Sequence, residues 1–212
     1  MRIVFFFAII SLLAACQPAT PPVQSDTLPI LGNRDVVNGD TVYHKIPDFS
    51  FINQDSQTIT NATFNNKAYI TDFFFTSCPT ICPKVKAQML RLYEKFDQED
   101  QLVLFSHSID VIRDTVPRLK DYANKLGIES ERWHLVTGEK DAIYDIADDY
   151  FSIAIENPEA PGGFDHSGRL ILVDPNRYVR AFCDGTDAED VDRFMGEVAL
   201  LLKEMKGGTP ES

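Results

Sequence analysis

Residues 73–83 read Phe73-Phe74-Phe75-Thr76-Ser77-Cys78-Pro79-Thr80-Ile81-Cys82-Pro83. An apolar run that reads as a buried strand ends here, and Pro83 opens a helical period. The cysteine pair therefore lies where a strand hands over to a helix N-terminus. First-turn N–H groups and the positive end of the helix dipole favour an anion at such a place. A thiol held there loses its proton more easily than a free one, and thiolate is the form that does redox chemistry and binds soft metals. Cys78 and Cys82 cannot be two positions of one regular helix. Pro83 lacks an N–H, and its ring would clash with the carbonyl of Pro79 if helix ran through both. Cys78 is placed in the loop and Cys82 in the first turn. The spacing suits a disulfide or a metal alike, provided the Cα atoms come within about 7 Å.

Working outward, strands and helices alternate. Phe49 to Ile52 and Thr58 to Thr60 are short strands, and Ala68 to Phe75 is a strand apolar on both faces. Lys84 to Phe96 carries a helical stripe of Val85, Met89, Leu92 and Phe96. Then come strand 102–109, helix 115–126, strand 133–136, helix 141–149 and strand 152–155. Arg169 to Val173 and Tyr178 to Phe182 flank Asp174-Pro175-Asn176-Arg177, whose turn chemistry predicts a hairpin. A last helix is expected from Thr186, capped with Glu189, to about Lys203. This order predicts an α/β fold, a central mixed sheet with helices on both faces.

The N-terminus points to the compartment. Arg2 precedes an apolar stretch from Ile3 to Leu13, too short to span a bilayer, which takes about 20 residues. It has the charged start, apolar middle and small-residue end of a secretory signal. Leu13-Ala14-Ala15-Cys16 resembles the lipobox of bacterial lipoproteins. That resemblance implies a signal peptide over 1–15, lipidation of Cys16 and a membrane-anchored domain facing an oxidising space outside the cytoplasm. Residues 16–46 hold Pro18, Pro21, Pro22 and Pro29 without apolar period and read as a flexible tether. The domain is expected over 47–204, with a disordered tail over 205–212. A net charge of −12 without a basic patch argues against nucleic acid as a partner.

The chain resembles the Sco/SenC family, a thioredoxin-like fold. The carrying segments are the run from Phe75 to Pro83, Ser108-Ile109-Asp110 with Arg113-Asp114-Thr115, Trp133 to Gly138, and Asp165-His166-Ser167. The resemblance implies copper ligands at Cys78, Cys82 and His166, and a role in assembling the copper centre of cytochrome c oxidase, whose copper-bearing subunit would be the partner. Some members act instead as thiol–disulfide reductants, with Cys78 and Cys82 as the redox pair. Two thiolates and an imidazole form a soft set able to hold Cu(I) and Cu(II).

Other residues carry open readings. The run 157–163 reads as a mobile loop, from which His166 is expected to swing to the sulfurs when metal is present. Asp165 is either an acceptor that orients the imidazole or a solvated loop carboxylate. Asp72, on a strand apolar on both faces, resembles the buried Asp of thioredoxin, which aids proton transfer; the alternative is a carboxylate tied by structural hydrogen bonds. Cys183 reads as a buried small hydrophobe and the odd cysteine. His107 and His134 read as packed strand residues, and His44 as a surface residue. Three functions remain: copper delivery, thiol–disulfide reduction and a peroxidase-like reaction. The last lacks the expected Pro-x-x-x-Thr-x-x-Cys arrangement, because Thr76 stands only two residues before Cys78.

Overall fold

The strand that ends at the cysteine loop, β5 (Ala68–Phe74), is buried at every position. In the computed structural model, which describes residues 27–207, it is an inner strand, third from one edge, of a seven-stranded sheet. Ten further strands are numbered in chain order: β1 (Arg34–Val37), β2 (Asp40–Tyr43), β3 (Ser50–Asn53), β4 (Thr58–Thr60), β6 (Leu102–Ser108), β7 (Trp133–Thr137), β8 (Ala154–Glu156), β9 (Phe164–His166), β10 (Arg169–Val173) and β11 (Val179–Asp184). The helices are α1 (Cys82–Lys95), α2 (Val116–Leu126), α3 (Lys140–Asp149) and α4 (Ala188–Gly207). The large sheet runs β11-β10-β5-β6-β7-β3-β4. β5, β6 and β7 are parallel, and the remaining pairings are antiparallel, so the sheet is mixed as expected.

Side chains alternate across a strand, so β5 reports both faces. Asp72 bonds Lys86 of α1, and Phe74 stacks on Tyr122 of α2 at 5.7 Å. On the opposite face, Tyr69 meets Tyr150, the residue that closes α3, with the two hydroxyls 2.9 Å apart. Helices thus cover both faces, which is why a strand that carries a carboxylate still reads as continuously apolar. β10 and β11 form the hairpin that the Asp174–Arg177 turn predicts. Asp174 Oδ1 accepts the N–H groups of Asn176 and Tyr178 and closes that turn.

Some boundaries differ from expectation. Residues 28–43, assigned to the tether, are laid along the domain. Leu28 and Leu31 pack on the core, and Leu31 N–H donates to the Val179 carbonyl at 2.8 Å. Arg180 binds Asp174 and Glu204, and its guanidinium also holds the Leu28 and Pro29 carbonyls. β1 and β2 then form a small exposed hairpin. Proline content misled here, because the fastening is made by side chains far along the chain. α4 begins at Ala188 rather than Thr186: Asp187 Oδ1 accepts the Glu189 N–H at 2.9 Å, the role of an N-cap. That helix runs on to Gly207, through the first residues assigned to the tail. The segment 1–15 expected to be a signal peptide, Cys16 and residues 208–212 lie outside the described residues.

Candidate metal centre

The chain reaches the site from two directions. After β5, Cys78 N–H donates back to the Phe75 carbonyl at 3.2 Å, which turns the chain. α1 then opens at Cys82 with Pro83 in its first turn, so Cys78 stands in the loop and Cys82 on the helix. Asp114, fully buried, fixes the loop. Its Oδ2 accepts the Thr76 N–H at 2.9 Å and the Ser108 hydroxyl at 2.7 Å. Arg118 closes this cluster at 3.3 Å.

The second approach is the β8–β9 hairpin, a separate two-stranded sheet in which Ala154 pairs with His166. The expected mobile loop is the link between these strands. Backbone bonds from Asn157 to Gly163, Ala160 to Asn157 and Gly163 to Ala160 close it. Gly162 has φ +84°, and a Cβ there would stand 2.7 Å from the Phe75 ring. Only glycine lets the link lie this close to the cysteine loop. Phe75 also meets the rings of Phe164 at 5.0 Å and His166 at 5.7 Å. His166 therefore stands at the sulfurs: its Nε2 is 3.3 Å from Cys82 Sγ and 3.8 Å from Cys78 Sγ. No swing is needed to bring it there.

The three donor atoms lie within 4.8 Å of one another, close enough for a single ion to touch all of them. The donor set is soft, and it is shielded from water: Cys78 and Cys82 are buried. Burial raises the Cys78 thiol. Hydrogen bonds from the Cys82 thiol, the Thr80 and Cys82 N–H groups and the Thr80 hydroxyl outweigh it and bring Cys78 below its ordinary value. Cys82 is pushed well above its ordinary value by burial, which its bond from the Phe75 segment does not offset. His166 is lowered, chiefly by burial, so its ring is neutral and Nε2 is free to ligate. These residues fit a copper ion.

Other sequence candidates fall elsewhere. Asp165 accepts from Asn157 Nδ2 at 2.6 Å and leaves His166 Nδ1 without a hydrogen-bond partner, so the orienting role is not realised. Asp72 has both carboxylate oxygens engaged by Lys86 and Ser106, the structural alternative, and no hydrogen bond joins it to either sulfur. Cys183 is buried on β11, away from the metal group. His107 bonds Thr71, and His134 accepts from Asn53 Nδ2. His44 is half-buried; its Nε2 stands 3.1 Å from the Asp149 carbonyl and its ring stacks edge-on to Phe151. Lys86 went unnoticed in the sequence. The available signal was the lone acid on a strand covered on both faces, which calls for a buried cation.

The comparisons agree with this geometry. The family model SCO1/SenC matches residues 38–201. The chain belongs to the SCO1/SenC family. A SCO1/SenC family lipoprotein from Bacillus anthracis superposes with a TM-score of 0.67 at 25% identity, over 74% of this chain and 94% of that one. BsSco, a member of the Sco family of cytochrome c oxidase assembly proteins in which a disulfide switch has been identified, gives 0.66 at 26% identity, over 75% and 94%. Arabidopsis thaliana ScoI with copper bound gives 0.62 at 25% identity, over 76% and 98%. All three carry the thioredoxin-like sheet of this family, and the chain shares it. Among the described residues, no helix is long and apolar enough to cross a membrane.

Proposed function

We propose that this chain binds copper through Cys78, Cys82 and His166 and hands it to the copper-bearing subunit of cytochrome c oxidase. In this reading it acts outside the cytoplasm, held to a bacterial membrane by a lipid on Cys16. The carrying observation is the convergence of two sulfurs and one imidazole nitrogen within 4.8 Å, drawn from elements 84 or more residues apart. Relatives with copper bound and a lipoprotein relative support it. Copper is the cargo: a soft, low-coordinate set holds Cu(I), and the imidazole extends the set to Cu(II).

The test is copper titration of the reduced, purified protein. One copper is expected per chain. Replacing either cysteine by serine exchanges a soft thiolate for a hard hydroxyl and abolishes tight Cu(I) binding. His166→Ala weakens Cu(II) more than Cu(I), because two thiolates alone hold linear Cu(I). Undiminished affinity in the double cysteine variant would sink the assignment.

The contrast between the two thiols favours thiol–disulfide reduction as a second reading. Cys78, held below its ordinary pKa, would attack a partner disulfide and release one partner thiolate. Cys82 would then displace the other from the mixed disulfide, so two electrons pass to the partner and Cys78–Cys82 is left oxidised. Reduction needs no imidazole. His166→Ala should therefore spare disulfide reduction while impairing oxidase assembly in cells at limiting copper.

A further inference from the structure

A buried ion pair stands beside the metal group and takes no part in its ligand set. Lys86 is 3% exposed and Asp72 1%, and Lys86 is the only buried lysine or arginine among the described residues. Its Nζ donates to Asp72 Oδ2 at 2.8 Å and to Ser106 Oγ at 3.0 Å, and it lies 4.0 Å from the Phe74 ring centroid. Ser106 donates to Asp72 Oδ1 and accepts from Trp133 Nε1 at 2.9 Å, so every polar atom of the cluster is satisfied. Such a pair is costly to desolvate, and apolar side chains of similar volume would stabilise the fold at least as well. Its position supplies the reason for keeping it. Cys82 and Lys86 are four residues apart on α1 and share one helix face. Lys86, with Asp72 bonded to it, thus places its charge about one helical turn from the Cys82 ligand.

We infer that the Lys86–Asp72 pair sets the electrostatic balance of the metal site, with Lys86 as a positioning residue whose fixed charge offsets that of the two thiolates. The inference rests on the copper reading above. Two thiolates, a neutral imidazole and Cu(II) are uncharged together. One electron added to the metal, with ligands and protons unchanged, leaves the group singly negative. A fixed cation nearby stabilises the state with the extra electron, and a fixed anion disfavours it. The two ends of the pair are opposed levers on the ratio of Cu(I) to Cu(II) affinity, each moving it by about tenfold at the effective dielectric of a protein.

The experiment measures Cu(I) and Cu(II) affinities by competition, and the bound-copper potential, on the whole protein. Lys86→Met is expected to shift the ratio towards Cu(II), and Asp72→Asn towards Cu(I). The double variant leaves this cluster uncharged and should fall between them. A pair that acts only by packing would misplace the ligands in both single variants and move the ratio the same way; that outcome overturns the inference. If one single variant fails to fold, the other is compared with the double. If neither folds, Lys86→Gln, which removes the charge but can keep a hydrogen bond to Asp72, takes the place of the lysine variant, and a ratio that does not move towards Cu(II) overturns the inference. Bound copper with an unmoved ratio in the single variants defeats this inference alone. Failure of the unaltered protein to bind copper defeats the copper reading and this inference together.

Discussion

Cys78 and Cys82 share one loop-to-helix junction, yet their sulfurs are made unlike by what surrounds them. Cys78 collects N–H, hydroxyl and thiol donors, while Cys82 lies deeper, and burial dominates. At neutral pH, iodoacetamide should therefore modify Cys78 well before Cys82, because thiolate is the reacting form. Mass spectrometry of the quenched reaction reads this directly, with the buried Cys183 as an unreactive internal reference. Equal rates at Cys78 and Cys82 would contradict the asymmetry. The candidate sulfur pair was legible in the chain, since a strand end, a proline-opened helix and two thiols are neighbours in sequence. The difference between them was not. It depends on how deeply the fold buries each sulfur, and Cys82 is buried more than Cys78.

At the scale of elements, the β8–β9 hairpin decides where His166 stands. Its link is pressed on Phe75 through Gly162, while Gly163, also at positive φ (+90°), faces open space. The pair makes a controlled comparison. Gly163→Ala meets only the backbone penalty of the left-handed region, about 1–2 kcal/mol. Gly162→Ala meets that penalty and a clash with Phe75 and Pro79. It should lower stability further and weaken copper binding by lifting His166 from the sulfurs. Denaturant melts and copper titrations of the two variants test this; equal copper affinity in both would refute the role given to Gly162. The run 157–163 was legible as a turn, from its prolines and glycines. That the turn packs against the cysteine loop depends on an aromatic ring more than 80 residues earlier.

For the whole molecule, the core carries two histidines outside the candidate metal group. Burial pushes His107 down to about 3 and His134 to about 4. In the unfolded chain each would take up a proton near pH 6.5. Between these values the unfolded state binds more protons, so stability is full above about pH 6.5 and is lost progressively as the pH falls from there to the folded values of about 4 and 3. His134 alone accounts for about 3 kcal/mol of that loss. Denaturation midpoints measured from pH 7.5 to 4 should fall steadily below pH 6.5. His107→Leu should flatten the slope. A midpoint independent of pH over this range would show that the histidines are not buried as described.

The sequence by itself determined the sheet, its helices and the sulfur chemistry. Hydrophobic period, turn residues and the prolines around Cys78 and Cys82 act over a few residues, and a few residues are enough to read them. Tertiary structure decided what depends on distant approach. It brought His166 to the sulfurs, turned Asp165 to Asn157, gave Asp72 a buried cation and fastened Leu28 and Leu31 under Arg180. Each of these joins groups whose meeting is set by how separate elements pack. Charges and hydrogen bonds depend on separations of a few ångströms, and the order of residues along the chain does not state those separations.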